Sequence, residues 1–143
     1  MELNENLTRN PERSARNLLT EFWDLKIPVN PVILAEKLGL AVYEDTESVG
    51  PLKALYDKED LSITINSKQS LPEKRYAIAS GICKHIIPGA TKNETTRFIG
   101  ALLIPTEPFE FLMKSKTYQE LLESFGVPEF LIVYRFNQYW RFG

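Results

Sequence analysis

The side chains richest in chemistry gather in one stretch, RYAIASGICKHII, Arg75 to Ile87, which holds Ser80, the only cysteine (Cys83), Lys84 and the only histidine (His85). Such a set first suggests a nucleophile with a histidine base, because a hydroxyl or thiol needs an adjacent base to attack at neutral pH. The spacing does not support it. On a helix, Cys83 and His85 stand about 200° apart around the axis and cannot face each other as a dyad. Ser80 has no histidine on its own face. A zinc helix needs histidines at i and i+4, and four residues before His85 stands Gly81, which has no ligand atom. His85 is therefore expected at the surface near a helix C-terminus, where the dipole favours it, or as a satisfied half-buried group. Cys83 reads as a small buried hydrophobe. Acidic pairs such as Glu44/Asp45 and Glu59/Asp60 fall in loop-like positions, and no glycine-rich phosphate loop is present.

Size and charge narrow the classes. The chain has 143 residues, 43% hydrophobic and 25% charged, enough to bury one real core. A single domain over residues 1–143 is expected, with residues 1–10 as a loose N-terminal segment. A net charge of −2 offers no basic face to displace counterions from phosphate, so direct nucleic-acid binding is not expected. MELNENLTRNPERS has no apolar leader core, and no run approaches the roughly 18 apolar residues that span a bilayer. The expected location is the cytosol, without membrane association. One cysteine excludes an internal disulfide and any cysteine-rich zinc module.

The elements that must position these residues follow from periodicity and punctuation. Ala15, Leu18, Leu19 and Phe22 fall on one helical face within Pro11–Leu25. Asn30 caps a second, short helix from Pro31 to Leu38, and Gly39 stops it. LAVYE, GPLKALYDK and LSITIN read as strands, with DKED as the hairpin connection between the last two. From Pro72 the period is helical again, Ile78, Ile82 and Ile86 lying four apart. NETTRFIGALLIP, Thr117–Phe125 and Glu129–Tyr139 read as further helices. The fold class is α+β: N-terminal helices, a small three-stranded antiparallel sheet, then helices.

In their order, several strings resemble the ImmA/IrrE family of zinc metallopeptidase-like proteins, common on phages and integrative elements beside repressor genes. The resemblance covers most of the chain, from IPVNPVILAEKLGLAVYE to VPEFLIVYRF. A Pro-Val entry to a helix ending in Leu-Gly is matched by Ile27–Leu40, and a strand ending in Ile-x-Asn by Ile63, Ile65 and Asn66. The family's zinc helix, Arg-Phe-Thr-x-Ala-His-Glu-x-Gly-His, aligns without gaps onto Arg75–Lys84. A later Glu-Ala-Asn-x-Phe-Ala-x-x-Leu-Leu-Met-Pro pattern aligns onto Glu94–Pro105. The implied fold is zincin-like, with a degenerate zinc helix.

That alignment keeps the scaffold and loses the chemistry. A zincin needs two histidines on one metal and a glutamate as base for the bound water; those positions hold Ser80, Lys84 and Gly81, and only Glu94, at the position of the family's third ligand, keeps a metal-binding side chain. Catalytic residues, a bound metal and any other cofactor are thus not expected. Two arrangements are open for the remnant: Lys84 pairs with Glu94 in place of the metal, or both point to solvent. Gly81, which weakens a helix interior by about 1 kcal/mol relative to alanine, fits a close approach of another segment.

The resemblance implies a pseudo-peptidase that acts by binding a protein, with a helix-turn-helix repressor as the partner class. The strand edge of the cleft is one route, by pairing with an extended peptide. The C-terminal Tyr139, Trp140, Arg141 and Phe142, with Arg135, read either as core or as interface anchors. The alternatives are a metallopeptidase with an unusual ligand set and a structural or assembly protein of a mobile element.

Overall fold

A computed structural model describes residues 10–24, 26–47 and 49–142. Two proline-led helices open it. α1 (Pro11–Phe22) is capped by Asn10, whose side chain accepts from the Arg13 N–H at 3.0 Å; α2 (Pro31–Lys37) is capped by Asn30, which accepts from the Val32 N–H at 3.0 Å. Proline at the first helical position loses no bond, because its missing N–H would be unpaired there anyway. Gly39, at φ +81°, takes the left-handed turn that ends α2. α1 stops at Phe22, short of the expected Leu25, which lies outside the described residues.

Three strands follow: β1 (Ala41–Asp45), β2 (Ala54–Asp57) and β3 (Ser62–Asn66). Their order is β1-β3-β2, with β1 parallel and β2 antiparallel to β3. The sheet is therefore mixed, which corrects the expected antiparallel sheet. Burial supplies the reason. Ile63 and Ile65 are buried while β1 is almost wholly exposed, so β3 takes the centre and the sequence-adjacent β1 and β2 become its two edges. Between β1 and β2 the chain is held where the Asn66 side-chain amide donates to the Val49 carbonyl at 2.9 Å and the Leu52 N–H donates to Gln69 Oε1.

Five helices complete the chain: α3 (Leu71–Ile86), α4 (Lys92–Leu103), α5 (Thr106–Met113), α6 (Tyr118–Phe125) and α7 (Glu129–Phe142). α3 is buried from Ala77 to Cys83 without interruption. It packs on the sheet, on α2 and on α4, and a helix covered on several sides is apolar all round. α5 is unforeseen. It lacks a side-chain N-cap and follows Pro105 directly, so no start signal marks TEPFEFLM, and only Phe109 of it is buried. Phe98, Phe109, Phe125, Leu34, Ile63 and Ile82 are among the largest side chains of the common core. Among the described residues no helix is long and apolar enough to cross a membrane.

Candidate functional site

α3 begins with a full capping box: the Glu73 N–H donates to Ser70 Oγ at 3.3 Å and the Ser70 N–H to Glu73 Oε1 at 2.9 Å. The Ser70 N–H foremost, and the Ser70 hydroxyl with it, hold the Glu73 carboxyl below its ordinary pKa. From that start the helix carries Ser80, Gly81 and Lys84 past the sheet. Ser80 is 8% exposed, within the buried run. Gly81 meets the central strand: a Cβ built on it would lie 2.6 Å from Ile63 Cγ2 and 2.9 Å from Cγ1 and Cδ1. Those separations are below any real carbon contact, where about 3.5–4.0 Å is optimal. Ile63 is itself fully buried. Glycine at 81 is therefore what lets α3 lie this close to β3.

Lys84 and His85 both turn to the edge strand. Lys84 Nζ donates to the carbonyl of Ala54, the first residue of β2, at 2.5 Å. His85 Nδ1 and the Tyr56 hydroxyl share a hydrogen bond of 2.6 Å, with the rings edge to face and 5.5 Å between centroids. The last turns of α3 are thus clasped to two β2 residues on alternate positions. Cys83 is fully buried, its Sγ 3.9 Å from Thr95 Oγ1 on α4.

Glu94 lies in the first turn of α4 and closes another capping box. Its N–H donates to Thr91 Oγ1 at 3.1 Å, and its Oε1 accepts from the Thr91 N–H at 2.9 Å. Among the described residues the ion pairs are Lys26–Asp24, Lys74–Glu44 and Arg97–Glu12. Lys84 and Glu94 are not joined by one; each is held by backbone groups. No cluster of three or more histidine, cysteine or acidic side chains suited to a metal occurs among the described residues. The Thr-x-x-Glu spacing of Thr91 and Glu94 is a capping signal that could have been read from the sequence.

The C-terminal residues separate. Tyr139 is half-buried against the core, whereas Trp140 is 75% exposed with its ring edge-on to Tyr139 at 5.7 Å. The side chains of Arg141 and Phe142 lie outside the described set. Arg135 is buried. Its Nε and Nη2 donate to the Ile104 carbonyl at the end of α4, Nη2 also to Thr106 Oγ1, and Nη1 to Gln138 Oε1. Desolvation lowers its pKa. It clamps the α4–α5 junction. On α1, Glu12 receives both Arg97 Nε and Nη2 at 2.9 Å. Burial works against its ionisation, but the Arg97 hydrogen bonds, its own N–H and the charges of Arg97 and Arg135 together hold its pKa below the ordinary 4.5.

No protein-family model matches the chain, and no curated protein matches it. Among solved structures it is similar in fold to a Mycobacterium tuberculosis transcriptional regulator, with a TM-score of 0.62 and 18% identity. The match covers 87% of this chain and 45% of the regulator chain, so this chain spans under half of that molecule.

Proposed function

We propose that this chain is a catalytically inactive, metallopeptidase-like protein of a phage or mobile element that works by binding another protein, a helix-turn-helix regulator. One observation carries the reading: the position where a zincin needs its glutamate base is Gly81, and the space a side chain would need there is filled by Ile63 of the central strand. A base at 81 would have to displace the core. Two further observations support it. The Lys84 amine, in place of the second histidine, is taken up by Ala54, and the Glu94 carboxylate caps its own helix. A scaffold with its catalytic positions turned to structural work retains surfaces for recognition. The likeness in fold to a chain titled a transcriptional regulator fits a role in regulation.

The test is a pull-down and calorimetric titration of the full chain with the product of the gene adjacent to its own, alongside zinc analysis of protein purified without chelators. A stoichiometric complex with the regulator intact and no zinc is expected. Stoichiometric zinc, or cleavage of the regulator, would overturn the reading.

A further inference from the structure

A groove of about 670 Å³ runs between the start of α3 and the α6–α7 corner. It lies some distance from the altered zinc positions: Leu71 and Ser80 are nine residues apart, about 14 Å along the helix. Leu71, Leu122 and Pro128 give it an apolar lining, and Glu73, Glu123 and Glu129 are its acidic groups. Leu71 is 59% exposed, and Phe130, the residue after Glu129, is 44% exposed. Large apolar side chains left in water beside a concave surface mark interaction sites more often than isolated ones do.

The charges here are unbalanced. The two segments that line the groove, 70–75 and 119–129, carry Glu73, Glu120, Glu123 and Glu129 against Lys74 and Arg75. Lys74 is engaged elsewhere, whereas Arg75 is itself part of the groove wall. Lys74 pairs with Glu44 of β1 at 2.8 Å, and Arg75 donates from Nη1 to the Gly126 carbonyl at 3.1 Å. The lining thus carries three carboxylates to one guanidinium about an apolar centre.

From this complementarity we infer that the groove docks a basic amphipathic segment of a protein partner, apolar anchors seated against Leu71, Leu122 and Pro128 and lysines or arginines facing Glu123 and Glu129. Helix-in-groove recognition works in this way, anchors at i, i+3 or i+4 supplying affinity and surrounding charges supplying orientation and rate. The inference rests on the reading of the chain as a protein-binding module and names the surface and the partner's chemistry. Its charge interactions are screened by salt.

The test titrates the full chain with an amphipathic leucine–lysine peptide and with its leucine–glutamate counterpart, following backbone amide shifts. The expected result is shifts confined to residues 70–75 and 119–130 with the lysine peptide only. Binding should weaken about tenfold or more in E123K/E129K and several-fold in the milder Leu71→Ala. Shifts elsewhere, no shifts, or equal response to the glutamate peptide would overturn the groove. The product of the adjacent gene then separates the two ideas. If it binds the native chain and E123K/E129K equally, the groove fails and the proposed function stands. If it does not bind while the lysine peptide seats in the groove, the proposed function fails and the groove stands.

Discussion

Replacing Gly81 by alanine sets two opposed effects against each other. Alanine is favoured over glycine in a helix interior by about 1 kcal/mol, so in open space the substitution stabilises. At this position the new methyl would sit 2.6–2.9 Å from three carbons of Ile63. Ordinary contact lies at roughly 3.5–4.0 Å, so helix or strand must retreat by about 1 Å. Ile63 is fully buried on the central strand, paired to β1 and β2, so its side chain has no solvent to turn into. Overpacking of this kind costs about 1–3 kcal/mol, and the net prediction is a loss of up to about 2 kcal/mol. Urea denaturation of Gly81→Ala, Ile63→Ala and the double variant measures it. Ile63→Ala removes all three clashing carbons and costs about 2–5 kcal/mol alone, but much of the Gly81→Ala penalty should vanish in its background, a coupling of about 1–3 kcal/mol. Strictly additive effects, or a single Gly81→Ala variant stabilised by about 1 kcal/mol, would refute the close-packing argument.

Other consequences are open to direct measurement. Thr91→Ala should lower stability by about 1 kcal/mol by removing the α4 cap, read as a lower urea midpoint at unchanged slope. Glu12 has a depressed folded pKa, so its contribution is present above the unfolded value near 4.5 and fades as pH falls through the lower folded value; Glu12→Gln should flatten that acid limb of the melting-temperature profile and lower stability at pH 7. Lys84→Met should lower the melting temperature slightly and speed amide exchange in β2 near Ala54, while zinc added to the native chain should produce no stabilisation.

The helices were largely legible because their signals are local. Asn30, Pro31 and Gly39 bracket α2 within a few residues, and the isoleucines four apart on α3 declare a buried face. Strand identity was legible from alternation, but strand order was not. LAVYE carries no information about its partner, and pairing β1 with β3 depends on which strand the helices bury. The role of Gly81 was open to argument because glycine in a buried helix calls for a close neighbour, yet which neighbour is set by Ile63, eighteen residues earlier in the chain. Lys84 was harder still: its acceptor is a backbone carbonyl thirty residues away, and any carbonyl looks alike in a sequence. For Glu94 the resemblance points to a metal position, and the Thr91-x-x-Glu94 spacing independently spells the capping box that α4 shows.

The central claim is that the chain binds a regulator without cutting it. Mixing the purified chain with the product of the gene adjacent to its own, with and without added zinc, and following complex formation and the length of that protein over hours decides between the two outcomes. A stoichiometric complex with a helix-turn-helix regulator that stays full length under both conditions is expected; zinc-dependent cleavage, or no complex at all, would refute the proposed function.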